Sequence, residues 1–212
     1  FDCLMGLKSL TGGRIEIDGI EARAHADERR GSITRIFQED RLLPWRTAAE
    51  NVAIGLQIQG MERVRRMETA RRWLEAVGLH GFADAYPSEL SGGMRQRVNI
   101  ARAFALGPEI ILMDEAFSAL DEITATRLRG DFLDLAHKNR MTYLIITHSI
   151  DEAIFLGSRI LVFSAPAQVA KELVVTPAMK EDHLAWQELR QEILRALSQE
   201  RRSRFGPGAQ AS

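Results

Sequence analysis

Ile110-Ile111-Leu112-Met113-Asp114-Glu115 is an apolar run of strand length that ends in two adjacent carboxylates. A strand this continuously apolar is buried on both faces, as in a parallel sheet. The carboxyl ends of such strands are where open α/β sheets bind ligands. Paired carboxylates at that position suit a divalent cation and the activation of a water. Upstream lies Leu90-Ser91-Gly92-Gly93-Met94-Arg95-Gln96-Arg97. A Ser-Gly-Gly turn opening a helix presents unpaired N–H groups and the positive end of a helix dipole, which is a phosphate-binding device. Downstream, an apolar strand at 143–146 leads into Thr147-His148.

Outward from this centre, strands and helices alternate. Residues 14–19 alternate like a strand and end in a turn, and residues 33–38 read as another strand. Residues 39–47 form a loop carrying Leu42, Leu43, Pro44 and Trp45. Residues 48–85 read as helices: Val64, Met67, Leu74 and Val77 recur at helical spacing, with Arg63, Arg65, Arg66, Arg71 and Arg72 mostly on other faces. A helix at 94–106 is closed by Gly107-Pro108. Helices at 124–137 and 151–156 separate strands at 110–113, 143–146 and 160–163, which predicts a parallel sheet with right-handed crossovers. Residues 1–10 read as the last turns of a helix stopped by Thr11-Gly12-Gly13, and residues 24–32 as a loop or short helix. Residues 173–175 read as a short extra strand. Leu189, Ile193 and Leu197 mark a C-terminal helix, and residues 200–212 are a polar tail expected to be disordered.

Apolar residues make up 45% of the 212, enough for a substantial core. Lys+Arg (28) and Asp+Glu (29) nearly cancel, which argues against general nucleic-acid binding and its basic footprint. A single cysteine, Cys3, excludes an internal disulfide framework and suits a reducing compartment. No apolar run approaches the roughly 18 residues that span a bilayer.

The motifs named above, together with Phe37-Gln38, Leu42-Leu43-Pro44-Trp45 and Ser118-Ala119-Leu120-Asp121, resemble in their order the ATPase subunit of an ATP-binding cassette (ABC) transporter. The Phe37–Trp45 stretch resembles in particular the nitrate/sulfonate/taurine group of bacterial importers. The resemblance covers residues 1–177 and implies an α/β fold of the P-loop NTPase type. That is a mostly parallel sheet flanked by helices, with a helical subdomain inserted at about 48–106. A C-terminal helix at 178–199 and the tail at 200–212 would follow.

The implied cofactors are ATP and Mg²⁺. By resemblance, Asp114 holds Mg²⁺ through water, and Glu115 is the general base that polarises the attacking water. His148 contacts the γ-phosphate and helps orient that water, and Gln38 binds Mg²⁺ or the water through its amide oxygen. Ser91, Gly92 and Gly93 form the signature loop, which closes on ATP held by the partner chain. Asp121 lies in the D-loop, which links the two sites. The family usually has Asp after the histidine, where this chain has Ser149. The implied partners are a second ABC ATPase subunit in a head-to-tail dimer, transmembrane permease subunits, and through them a periplasmic or extracellular solute-binding protein. The implied location is peripheral, on the cytoplasmic face of the inner membrane. Trp45 is an apolar anchor candidate for the permease. Taken singly, each feature has a plainer reading: Asp114, Ser91 and Asp121 as helix caps, Gln38 as an exposed strand-end amide, His148 as structural, Trp45 as core.

One motif is absent. The chain holds no G-x-x-x-x-G-K-[ST] phosphate loop, and Gly6-Leu7-Lys8-Ser9 lacks the glycine directly before lysine. The resemblance places the first strands, an adenine-stacking aromatic and the phosphate loop upstream of Phe1. These 212 residues alone are therefore expected neither to bind nor to hydrolyse ATP appreciably, and their sheet is expected to carry an unpaired edge. Two other classes compete. A DNA-repair type ABC ATPase would need a long coiled coil between Gln38 and Ser91, and no sustained heptads occur there. A degenerate cassette acting as a non-catalytic interaction module is argued against by the intact Glu115, His148 and Ser91-Gly92-Gly93, and argued for by the absent phosphate loop.

Overall fold

The computed structural model describes residues 1–21, 31–118, 120–164 and 168–205, with 199–205 as backbone. Most of the expected loop at 24–32, Ala119 and the end of the tail lie outside the described residues. The chain divides into two units, Phe1–Ile146 and Thr147–Ser212.

In the first unit, residues 1–8 make one irregular turn rather than the end of a regular helix. The Asp2 carbonyl accepts from both Leu7 N–H (2.8 Å) and Lys8 N–H (3.2 Å). Gly6, at φ +71°, ends the turn before Thr11-Gly12-Gly13 is reached. A minimal hairpin follows, β1 (Glu16–Ile17) against β2 (Ile20–Glu21). Its loop is Asp18-Gly19, both at positive φ, the turn that matches strand twist.

Next come β3 (Ile33–Ile36), α1 (Ala48–Ile58), α2 (Arg63–Ala76), a 3-10 turn (Pro87–Glu89), α3 (Gly92–Ala105), β4 (Ile110–Asp114), α4 (Glu122–Lys138) and β5 (Thr142–Ile146). The order in the sheet is β3-β4-β5, all parallel as expected, with Ile36 opposite Met113 and Asp114 opposite Ile146. Ile36, Ile111, Leu112 and Met113 are fully buried, as a central strand and its neighbour require. Both β3 and β5 are outer strands among the described residues. On β5, Leu144 and Ile146 are 44% and 48% exposed.

A chain of aromatic rings ties the helices to the sheet. Trp73 of α2 meets Phe104 of α3 at 5.4 Å between centroids. Phe104 meets Phe132 of α4 at 5.8 Å, and Phe132 meets Phe117 at 6.3 Å and Tyr143 of β5 at 5.3 Å.

Thr47 and Glu50 form a reciprocal capping box at the start of α1. Just inside it, the fully buried Asn51 accepts from Leu43 N–H (2.7 Å) and donates to the carbonyls of Leu43, Arg46 and Thr47. This pins the Leu42–Trp45 loop to α1 and leaves Trp45 71% exposed, not in the core. Helix α2 closes with Gly78 at φ +74°, Leu79 N–H bonding Leu74 O and Gly78 N–H bonding Glu75 O. Its inward face is carried by Ala70 and Leu74. Val64, expected on the apolar face, is exposed because it sits in the first turn.

The second unit contains α5 (Ile150–Leu156), β6 (Arg159–Ser164), β7 (Gln168–Val174), α6 (Pro177–Glu181) and α7 (His183–Phe205). The strand expected at 160–163 pairs antiparallel with β7, contrary to the parallel expectation. Only residues 165–167 separate the two strands, and a parallel crossover needs about a dozen or more. The core joins Ile154, Ile160, Val162, Leu173, Val175, Leu189 and Ile193. Helix α7 continues past the expected end at 199 to Phe205. Glu200, Arg201, Arg202 and Arg204 are good helix formers, and no breaker occurs until Gly206-Pro207.

Candidate functional site at the carboxyl ends of the parallel strands

The register that sets Ile36 beside Met113 carries Phe37-Gln38 and Asp114-Glu115 off one edge of the sheet. Asp114 ends β4 half-buried and is held by an ion pair from Arg35 Nη2. Arg35 also donates through Nη1 to Asp2 at 2.8 Å, and its guanidinium lies 4.8 Å from the Phe37 ring and 5.7 Å from the Phe1 ring. Lys8 first, then Arg35, holds the Asp2 carboxyl below the usual carboxylate range. Sequence reasoning missed Arg35, although a lone arginine in the apolar strand Ile33-Thr34-Arg35-Ile36-Phe37 is a visible anomaly.

Glu115 has φ +48°, a left-handed conformation that non-glycine residues avoid and that concentrates at functional sites. Its backbone is held from both sides. Its N–H donates to Ile146 O at 2.9 Å, and its carbonyl accepts from Ser118 N–H at 3.1 Å and Ser118 Oγ at 2.9 Å. These bonds bend the chain sharply after Asp114 at the strand end.

Two helices begin near this edge. Ser91 Oγ caps α3 by accepting from Met94 N–H at 3.3 Å. Asp121 caps α4 by accepting from Thr124 N–H at 3.0 Å, and that bond holds its carboxyl below the usual range. A Cβ on Gly93 would come within 2.9 Å of Thr124 Cγ2, so the missing side chain is what lets α3 and α4 start side by side. Gly92 has room, its nearest neighbour being the Arg95 guanidinium at 3.8 Å. Gly93→Ala is therefore expected to lower the thermal midpoint by several degrees, an overpacking cost of about 1–3 kcal/mol. Gly92→Ala should leave the midpoint within about a degree, since surface changes without a clash stay within about 0.5 kcal/mol. Equal midpoints for the two variants would show that the close approach at Gly93 is not what matters.

The structure thus brings Asp114, Glu115 and Gln38 to one sheet edge and sets Ser91–Gly93 beside the helix capped by Asp121. Gln38 is exposed beyond β3. His148 belongs to the second unit, where it is exposed ahead of α5. Ser149 caps α5 through Glu152 N–H at 3.3 Å. Serine and aspartate are equally good caps, so Ser149 keeps the helix start intact.

Asp114, which Arg35 pairs with in this structure, and Gln38 carry oxygen donors of the kind magnesium takes. Mg²⁺ takes oxygen ligands, one or two of them carboxylates, and completes its shell with waters and substrate phosphates. Asp114 offers one carboxylate and Gln38 an amide oxygen. Among the described residues no cluster of three or more His, Cys, Asp or Glu forms a closed metal cage. Among them, too, no helix is long and apolar enough to cross a membrane.

A family model described as ABC transporter matches residues 1–118, and the chain belongs to that family. It is 45% identical over 163 residues to the taurine import ATP-binding protein TauB of Rhizobium johnstonii, covering 77% of this chain and 61% of the relative. It is 40% identical over 173 residues to the nitrate import ATP-binding protein NrtD of a Synechocystis strain, covering 81% of this chain and 64% of the relative. The chain therefore spans less than two-thirds of the length of these relatives. Among solved structures it is similar to a dimeric ATP-binding cassette in a post-hydrolysis state with ADP and Pi. The TM-score is 0.71 at 33% identity, covering 82% of this chain and 78% of the other. The P-loop NTPase-type α/β fold is confirmed by this likeness.

Proposed function

We propose that this chain is part of the ATP-hydrolysing subunit of an ABC importer. The observation that carries the reading is the sheet edge where Asp114 and the left-handed Glu115 leave β4, beside Gln38 and below the capped starts of α3 and α4. Glu115 takes the role of general base, accepting a proton from the water that attacks the γ-phosphate. Asp114 and Gln38 hold the magnesium ion, which when bound neutralises charge on the phosphates. His148 donates a hydrogen bond to the γ-phosphate. Ser91, Gly92 and Gly93 present the α3 N-terminus to ATP bound by a second subunit, and Asp121 lies along the same head-to-tail interface.

Residues 48–106 form the inserted helical subdomain. The exposed Trp45, held outward through Asn51, is the anchor for a transmembrane permease subunit. The subunit sits peripherally on the cytoplasmic face of the membrane, served from the other side by a solute-binding protein. The TauB and NrtD names favour a small oxyanion or organosulfur solute.

The test is Mg²⁺-dependent ATP hydrolysis and ATP-driven dimerisation of the full-length protein. An inert full-length protein that binds permease would instead support the degenerate-cassette reading. The 212-residue chain by itself has no phosphate loop and is expected to show no stoichiometric ATP binding in a calorimetric titration. Binding at one ATP per chain would overturn that expectation.

A further inference from the structure

Four polar side chains of helix α3 bond the segments around the site. Arg95 Nε pairs with Asp40 Oδ2 at 2.9 Å, and its Nη1 donates to Leu90 O at 2.8 Å, directly before Ser91. Gln96 Nε2 donates to Ala116 O at 2.6 Å, the residue after Glu115. Asn99 Nδ2 donates to Phe37 O at 3.3 Å. Arg102 donates to Asp40 O at 2.7 Å, to Arg41 O at 3.0 Å and to Asn99 Oδ1 at 2.8 Å. Burial pushes the Arg102 guanidinium below its ordinary range, opposed only by Asp40. The loop it grips holds Arg41 in a left-handed conformation, φ +47°, with its guanidinium over the Phe37 ring at 4.2 Å.

We propose that Arg95, Asn99 and Arg102 are positioning residues that lock the loop 37–41, and with it Gln38, to the helix that begins at Ser91. With Gln96 bonded to Ala116 O, three segments of the site, the residues after β3, the turn before α3 and the residues after β4, are all tied to α3. A shift of α3 carries Gln38 and the backbone beside Glu115 with it. The physical reason is that backbone carbonyls at 37, 40 and 41 have no sheet partner and are instead held by side chains from a helix, two of the three bonds being charge-assisted. The role in hydrolysis rests on the reading of Gln38, Glu115 and Ser91 in the proposed function. The mechanical lock does not.

The first experiment is limited trypsin digestion of the native chain. The scissile carbonyl at Arg41 is one that Arg102 holds. Arg102→Met is expected to speed cleavage after Arg41 about tenfold or more, the loss of a charge-assisted bond, with cleavage after Arg140 unchanged. Arg95→Ala is expected to act in the same direction more weakly, and it keeps the test open if Arg102→Met fails to fold. Unchanged cleavage after Arg41, or an equal rise at both sites, overturns the lock.

The second experiment is in the full-length protein. Each variant is expected to lower kcat about tenfold while ATP affinity stays within about twofold, since misplacing a reacting group costs rate rather than binding. A loss of affinity with unchanged kcat overturns the positioning role. A wild-type protein without ATPase activity sinks the functional reading, and the trypsin result then still decides the lock.

Discussion

In the full-length protein, Glu115→Gln is expected to reduce ATP hydrolysis by about 10²–10⁴-fold, the contribution of a positioned general base. ATP-dependent dimers should persist and accumulate. The reasoning is local. Three bonds hold the backbone at position 115: the N–H to Ile146 O, and the carbonyl from Ser118 N–H and Oγ. Glutamine has the same length and shape, so it is compatible with those backbone bonds, while it removes the negative charge and the ability to accept a proton at neutral pH. Single-turnover hydrolysis and size-exclusion chromatography with ATP separate the two effects. Undiminished hydrolysis would show that the base lies elsewhere. Loss of dimers together with loss of hydrolysis would show that Glu115 serves the interface rather than the chemistry.

Phe132→Ala is expected to have the largest effect on folding. The ring is fully buried and contacts Phe104, Phe117 and Tyr143, so it joins α3, α4, β5 and the turn after β4 at one point. Removing a buried phenylalanine ring costs about 3–5 kcal/mol, against a total of about 5–15 kcal/mol for a typical domain. Urea unfolding followed by circular dichroism should show the midpoint fall by half or disappear, with a sloping, non-cooperative loss of helix. A midpoint within a tenth of the wild type would mean that the cavity collapses and that the ring chain is not what joins helices to sheet.

The elements that place the site were legible in the sequence because each carries its own local signal. Ile110–Met113 is too apolar to be anything but buried, Asp114 and Glu115 end it, and Ser91 and Asp121 are cap residues before helical patterns. What escaped depends on register and on distant partners. Arg35 reaches Asp114 only because β3 pairs with β4 at Arg35–Leu112. Asn99 and Arg102 read as ordinary polar positions on an amphipathic helix until the loop at 37–41 is laid across them. The antiparallel pairing of β6 was partly legible: even residues 164–172, between the two strands as read from the sequence, are fewer than the dozen or more of a parallel crossover, and the strand-helix rhythm masked that signal. The exposure of Val64 reflects a limit of periodicity, which names the face of a helix but not how far along it the neighbour extends.

The left-handed backbone at Glu115 bears on anyone who would engineer this chain. A residue in that conformation costs about 1–2 kcal/mol unless it is glycine, asparagine or aspartate. Any procedure that ranks substitutions by thermostability will therefore favour glycine at 115, and with it the loss of the carboxylate proposed as the general base. On that reading heat resistance and turnover make opposite demands at this position, so a hardened version of the protein has to be improved everywhere except there.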